Sequence, residues 1–462
     1  MEDQELWSRL PVEILEQVLS LLPIPDLCRC CAVCKGWNSL ISTSQFASRC
    51  LQNHAKEGQS YVVARWIAEL DLDADPSPAA LDLELESYER RGYLGWSILD
   101  VEAKHWYRLN HHEHVDGFEC LSMQGCMAAD RGLVCEYIGG FLGGPCVRIS
   151  NPLTNHGIRI LPAPPKCLEA DPRDVLMNFV VDNIGSSSFK VFFIRTGFTT
   201  NRYCYPGGVV EPFMYIYDSG TELWRSSSNP NSLLDKEGFV GYLGSTVMFQ
   251  GRLFVLFSSS RHYEYCLFSY DILEDVWEDT GIHIRSSANY RVPTLSQVQL
   301  LVSDDRLFLV YWGSLNRFPD ACCGLHMDEV LLADADIQEV FQMTPEELLV
   351  VFHLAAAQES KFQAFGFQKS VILMSEETGV SLLYDLESAL WSQLPASLMD
   401  PLPDGYELWF GDPVNRPQRR TAYQLWSGKA MNLRLPSLPW VRDKRRMPDG
   451  LVMSHFCGEG TR

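Results

Sequence analysis

The chain has 462 residues, 46% of them apolar, and a formal net charge of −21. Its length favours one small and one large unit over a single small domain, with enough apolar residues to bury a sizeable core. The acidic excess argues against a nucleic-acid groove, which must neutralise phosphates with lysine and arginine.

"MEDQELW" (1–7) places acidic residues where a secretory signal needs a basic start and an apolar run. The longest apolar run, "LLVVFHLAAA" (348–357), is about half the length of a membrane-spanning helix. Both features point to a soluble protein of the cytoplasm or nucleus. Fifteen cysteines, an odd number scattered through predicted strands and helices, are expected to be buried free thiols rather than a disulfide framework.

From Pro11 onwards Ile14, Leu15, Val18, Leu19 and Leu22 recur at spacings of three and four, which puts them on one face of a helix. Pro11 suits the first helical position, where its missing N–H costs nothing, and Pro23 and Pro25 end the helix. Asp26 then falls in the first turn of a second short helix, at the positive end of its dipole. "VCKGWNSLI" (33–41) makes a third helix, and "SQFASRCLQNHA" (44–55) a fourth with Thr43 or Ser44 as cap. So few residues bury little surface by themselves, so the segment calls for a partner.

This stretch resembles the F-box. Leu10-Pro11, Ile14 and Leu15, Leu22-Pro23, Asp26-Leu27 and Val33-Cys34-Lys35-Gly36-Trp37 fill that family's signature positions, while Cys28-Arg29-Cys30-Cys31 stands where the family usually has leucine and other apolar residues. The resemblance implies docking onto a Skp-family adaptor and, through it, onto the cullin and RING subunits of a ubiquitin ligase. Carried over by position, the adaptor-binding residues are Leu10, Pro11, Ile14, Leu15, Leu22, Leu27, Val33 and Trp37. Ile14, Leu15 and Val33 could equally hold the small helices together.

Downstream, the chain repeats itself. "ILDVEAKHWYRL" (98–109), "YIYDSGTELWRS" (215–226), "FSYDILEDVWED" (268–279) and "LLYDLESALWSQLP" (382–395) each place a Trp six positions after an Asp: Asp100 and Trp106, Asp218 and Trp224, Asp271 and Trp277, Asp385 and Trp391. Two weaker copies fill the gaps, "ISNPLTNHGIRILP" (149–162) with Asn151 in the Asp place and "VLLADADIQEVFQM" (330–343) without the Trp. Strand pairs such as "STVMFQGRLFVLFSS" (245–259) and "QVQLLVSDDRLFLVYWG" (297–313) precede the copies and turn at Gln250-Gly251 and Asp304-Asp305. Units of this period with four strands each predict a β-propeller of six blades, the aromatic packing between neighbours.

The pattern resembles kelch repeats, particularly those of plant-type F-box kelch proteins, in which "RGLVCEYIGG" (131–140) and "NPLT" (151–154) have counterparts; the kelch double glycine is clear at Gly139-Gly140. The expected organisation is a helical F-box domain over 1–56, a propeller over 57–440 and a tail over 441–462. The fold class is therefore mainly β with a small α-helical domain in front. Strands begin at "SYVVARWI" (60–67), so the acidic "AELDLDADPSPAALDLELES" (68–87) is a solvated loop within the first blade.

Long inserts at 68–92, 139–146, 196–211, 258–264 and 313–326 occupy one place in the repeat, just before the strand that carries the Asp, and so should emerge on one face of the propeller. Aromatic and arginine residues gather in three of them: Phe198, Arg202, Tyr203 and Tyr205; Arg261, His262 and Tyr263; Arg317 and Phe318. Such residues suit the contacts of a protein-binding surface.

Signs of chemistry are sparse. Cys28, Cys31 and Cys34 form CxxC pairs but lie within predicted helices without a second pair at zinc-site spacing. His111, His112 and His114 with Cys120 lie in a polar stretch lacking a further ligand cluster. "GGFLGG" (139–144) has the wrong spacing for a dinucleotide loop, and no G-x-S-x-G elbow occurs. In "DSGTELW" (218–224) the Trp stands one residue too far for the Asp-box of sialidases, and "RDKRR" (442–446) is read as a solvated basic tail, with a nuclear-import signal as the alternative. The expectation is a substrate receptor with no catalytic residue, metal or cofactor of its own. The competing reading is a propeller enzyme or ligand sensor whose F-box controls only its own turnover or location.

Overall fold

The computed structural model describes residues 10–43, 45–46, 49–50 and 53, and then, between 61 and 395, the strands, short turns and one helix given below. Three short helices open it: α1 (Val12–Leu19), α2 (Ile24–Cys31) and α3 (Lys35–Ile41). Pro11 is the cap residue of α1 rather than its first helical residue, and Pro23 stands in the same relation to α2. Asp26 lies in the first turn of α2, as its charge predicts, and pairs with Arg29 at 2.7 Å. Cys34 caps α3, its Sγ accepting the Trp37 N–H at 3.4 Å. Of the two caps predicted for the next helical residues, Thr43 is the one used: its hydroxyl accepts from the Phe46 N–H at 3.2 Å. Leu15, Leu19, Leu27, Ile41, Phe46 and Cys50 form the core of this segment.

Antiparallel sheets make up the rest. Sheet I comprises β1 (Tyr61–Ile67), β2 (Leu94–Asp100) and β3 (His105–Leu109). Sheet II comprises β4 (Met127–Asp130), β5 (Leu133–Ile138), β6 (Cys146–Asn151) and β7 (Thr154–Pro162). Sheet III holds β8 (Val175–Val181), β9 (Phe189–Arg195), β10 (Met214–Asp218) and β11 (Leu223–Ser226). Sheet IV holds β12 (Gly241–Phe249), β13 (Arg252–Ser259), β14 (Glu264–Asp271) and β15 (Val276–Arg285). Sheet V follows with β16 (Val298–Ser303), β17 (Arg306–Gly313), β18 (Gly324–Leu331) and β19 (Asp336–Met343). After α4 (Pro345–Val351), sheet VI holds β20 (Phe362–Phe367), β21 (Ser370–Ser375), β22 (Ser381–Asp385) and β23 (Leu390–Gln393). Where the repeat predicts six four-stranded units, the described residues form five, with three strands in sheet I. Among the described residues no helix is long and apolar enough to cross a membrane.

Both faces of these sheets are covered, which is why the second and third strands read as unbroken apolar runs rather than alternating ones. Residues of one parity pack on the preceding sheet and those of the other parity on the following one, giving apolar layers between II and III, III and IV, IV and V, and V and VI. Leu99, Val101 and Trp106 of the first unit pack with Phe365, Phe367, Ile372 and Met374 of sheet VI. The last sheet thus meets the first, and the body is a β-propeller.

The Asp-to-Trp spacing now has a physical cause. Each Asp ends the strand next to the outermost one of its sheet and caps the turn: Asp100 Oδ1 accepts from the Ala103 N–H, Asp218 Oδ1 from Gly220, Asp271 Oδ1 from Leu273 and Glu274, and Asp385 Oδ1 from Glu387 and Ser388. The chain reverses through four residues, the last in the left-handed region: Lys104, Glu222, Asp275 and Ala389, with φ of 50°, 57°, 56° and 56°. The residue two further on re-enters the ladder opposite the one before the Asp, so Trp224, Trp277 and Trp391 pair with Tyr217, Tyr270 and Tyr384. The two-residue turns at Gln250-Gly251 and Asp304-Asp305 fall where predicted, with φ positive at both residues as a hairpin of this hand requires.

Each indole then reaches the blade before it. Trp224 Nε1 donates to the Pro162 carbonyl, Trp277 Nε1 to that of Ser228 and Trp106 Nε1 to that of Pro395, each at 3.0 Å. Arginines of the preceding outer strands reach back across the same junctions. Arg159 donates to the Tyr217 hydroxyl and to Glu222 Oε1, and Arg225 to the Tyr270 hydroxyl and Asp275 Oδ1. Sheets V and VI approach so closely at Gly366 that a Cβ there would stand 1.8 Å from the Val302 carbonyl oxygen.

Candidate functional site

The helical segment divides its apolar residues between an inside and an outside. Leu15 and Leu27, both predicted to face a partner, lie in the segment's own core at 9% and 2% exposure. Leu22 and Trp37 are half-buried against that core. Leu10, Pro11, Ile14 and Val33 are exposed, as a docking role requires, with Ile14 at 44% and Val33 at 64%. The segment also exposes Val12 at 55%, Val18 and Leu21, the last at 60%, which the sequence reading did not select as contacts. Ile14, Val18 and Leu21 stand at i, i+4 and i+7, so they form one stripe along α1 and the turn that follows it.

The opposite face of α1 is unusual in burying a carboxylate. Glu16 is 6% exposed and forms an ion pair with Arg49 at 3.4 Å, while its Oε1 has no hydrogen-bond partner among the described residues. Asn53 Nδ2 donates to the Ser20 hydroxyl at 2.7 Å, tying the end of the segment back to α1. Burial, assisted by the Glu16 charge, pushes the Cys50 thiol up to about 12, so it stays neutral within the core. Of the cysteines weighed as metal ligands, Cys31 is half-buried against the core and Cys34 serves as the cap of α3. His111, His112, His114, Cys120 and the tail from 441 lie outside the described residues.

On the propeller, the β1–β2, β5–β6, β9–β10, β13–β14 and β17–β18 connections each lead into the strand next to the outermost one, and the strand ends they join lie opposite the Asp turns. Tyr61 pairs with Asp100, so the chain enters the first blade on the Asp-turn side. Phe198, Arg202, Tyr203, Tyr205, Arg261, His262, Tyr263, Arg317 and Phe318 lie outside the described residues. Among the described residues of the body, four acidic or basic side chains are buried, Glu136, Arg148, His326 and Asp328, and all four lie on faces between blades.

Residues 7–52 match the F-box-like family. Three proteins of Arabidopsis thaliana align further along the chain. F-box only protein 6 is 24% identical over 320 residues, covering 69% of this chain and 55% of that protein. An F-box/kelch-repeat protein is 27% identical over 168 residues, covering 36% of this chain and 32% of that protein. Protein UNUSUAL FLORAL ORGANS is 23% identical over 423 residues, covering 85% of this chain and 79% of that protein. The chain thus spans about half the length of the first of these relatives and a third of the second. Taken with the helical fold of residues 10–41 and the sheets that follow it, these matches show an F-box-like domain followed by a β-propeller, in a chain similar to F-box proteins of Arabidopsis thaliana.

Proposed function

We propose that this chain is the substrate-recognition subunit of an SCF-type ubiquitin ligase. In this reading the exposed face of α1 binds a Skp-family adaptor, which links it to the cullin and RING subunits. A kelch-type propeller holds a target protein through the connections that join second to third strands, with Phe198, Arg202, Tyr203, Tyr205, Arg261, His262, Tyr263, Arg317 and Phe318 as candidate contacts. Residence in the cytoplasm or nucleus, where such ligases work, belongs to the same proposal.

The observation that carries it is the stripe of Ile14, Val18 and Leu21, left uncovered by the segment's own core. Moving one such aliphatic side chain from water into an interface contributes about 1.5–3 kcal/mol, so a few anchors suffice for stable docking. One relative's name, an F-box/kelch-repeat protein, supports the kelch assignment of the blades. No catalytic group is needed within the chain, because tethering alone raises the effective concentration of a target lysine near the conjugating enzyme.

Affinity capture with the full-length chain and with its Ile14→Asp/Leu21→Asp variant tests the division of labour. The variant is expected to lose the ligase subunits and to keep the proteins held by the propeller. Ligase subunits retained at wild-type levels would refute the assignment of the docking face.

A further inference from the structure

Among the described residues, four of the six seams between blades carry an indole bolt, and two do not. Trp224, Trp277 and Trp106 hydrogen-bond across seams II–III, III–IV and VI–I. Trp391 meets Phe341 edge-on across seam V–VI, with centroids 4.9 Å apart. On β19 the Trp register, opposite Val330, holds Ile337, so seam IV–V lacks the bolt. The outer strand of blade II, "TNHGIRILP", contains no Trp, Tyr or Phe, so seam I–II lacks it too. In a ring of six, these two seams lie opposite each other.

Buried charge collects at the same two places. Cys135, Tyr137, Val147 and Ile149 face blade III, so the alternation of strand side chains turns Glu136 and Arg148 towards blade I. They form a buried ion pair at 2.6 Å. Leu325 and Met327 face blade VI, so His326 and Asp328 face blade IV. The Tyr311 ring stacks on His326 at 5.1 Å, and its hydroxyl donates to Asp328 Oδ2 at 2.9 Å, while His326 Nε2 has no hydrogen-bond partner among the described residues. Seam IV–V keeps an apolar layer, but the charged and polar groups at both places lose water when the seams shut, which reduces what closing them gains.

We propose that the propeller is built as two three-blade halves, II–III–IV and V–VI–I, and that seams I–II and IV–V are the joints along which it opens short of unfolding. Each half is held internally by two indole bolts, II–III–IV by Trp224 and Trp277, and V–VI–I by Trp391 and Trp106. The IV–V joint also separates the facing ends of β13 and β14 from those of β17 and β18, so opening changes the distance between them.

Thiol labelling of the full-length chain tests the joints. Three buried native cysteines serve as reporters: Cys146 alternates with Val147 and faces seam I–II, Cys135 faces seam II–III, and Cys266 faces seam III–IV. Val330→Cys adds a thiol in seam IV–V, where Val330 is 5% exposed. The protein is pulsed with a small maleimide at several urea concentrations below the unfolding transition, and each site is quantified by peptide mass spectrometry. Cys146, and the thiol introduced by Val330→Cys, are expected to label at least about tenfold faster than Cys135 and Cys266, with the shallow urea dependence of partial opening. One common rate with the steep urea dependence of global unfolding would overturn the proposal, as would faster labelling at Cys135 or Cys266. The native comparison of Cys146 with Cys135 and Cys266 stands even if Val330→Cys does not fold.

Discussion

Trp106→Phe perturbs the point at which the ring closes. The indole is 2% exposed and donates from Nε1 to the Pro395 carbonyl at 3.0 Å, joining the first blade to the residue just beyond the last one. Phe keeps a ring in place but has no donor, which costs about 1 kcal/mol for the lost hydrogen bond. The smaller ring leaves a void among Leu99, Phe365, Phe367, Ile372 and Leu394, worth a further ~1–2 kcal/mol. The expected loss is therefore about 2–3 kcal/mol. Trp224→Phe is the internal control, because it removes a hydrogen bond of the same length from a half-buried indole whose void opens to water. Its expected cost is about 1 kcal/mol. Urea unfolding followed by circular dichroism measures both. A Trp106→Phe variant as stable as wild type, or a Trp224→Phe variant equally damaged, would refute the assignment of Trp106 as the closing bolt.

Burial holds the His326 imidazole below its usual range, against the opposing pull of Glu339. The unfolded chain therefore binds the proton more readily than the folded one, so stability is full above about pH 6.5 and falls as pH drops below it towards the folded-state value. In His326→Phe that part of the acid loss should vanish from urea midpoints measured between about pH 7.5 and 5, while an unchanged profile would contradict the burial argument. Asp271 acts lower: the N–H groups of Glu274 and Leu273 hold its carboxyl below its usual range, so its contribution is lost only below about pH 4. Gly366→Ala drives a methyl into the Val302 carbonyl and should cost at least about 2 kcal/mol by the same assay; a neutral result would show that sheets V and VI can separate at no cost. Leu27→Ala should destabilise the helical segment by about 2–4 kcal/mol and Ile14→Ala by under about 0.5, as read by amide hydrogen exchange, and the reverse order would exchange inside and outside in the account.

Much of this fold was legible in the sequence because the repeat is enforced locally. An Asp that caps a four-residue turn and a Trp that re-enters the ladder two residues after its last member are close in sequence, so their spacing survives where the rest of the blade drifts. The partners of those residues were not legible. Arg159 serves Tyr217 and Glu222, and Arg225 serves Tyr270 and Asp275, from about fifty residues away, and nothing local marks an arginine of one blade as belonging to the next. Helix α4 carried a readable sign in Thr344-Pro345-Glu346-Glu347, a reciprocal capping box, but the apolar run after it drew attention to its length instead.

The exposed face of α1 was only half legible, for a related reason. Helix α1 is apolar around much of its circumference, so spacing alone fits Leu15 to the outside as well as Ile14. What decides between them is the burial of Glu16 beside Leu15 and its ion pair with Arg49, a contact between residues far apart in sequence. A buried carboxylate on the inner face leaves Ile14, Val18 and Leu21 to face outwards.

The direct test of the whole account is calorimetric titration of a purified Skp-family adaptor into the full-length chain and into its Ile14→Asp/Leu21→Asp variant. The account predicts saturable binding to the first, and at least about a hundredfold weaker binding to the second with an unchanged unfolding midpoint. Equal affinity for both chains, or no heat of binding to the unmodified one, would contradict it.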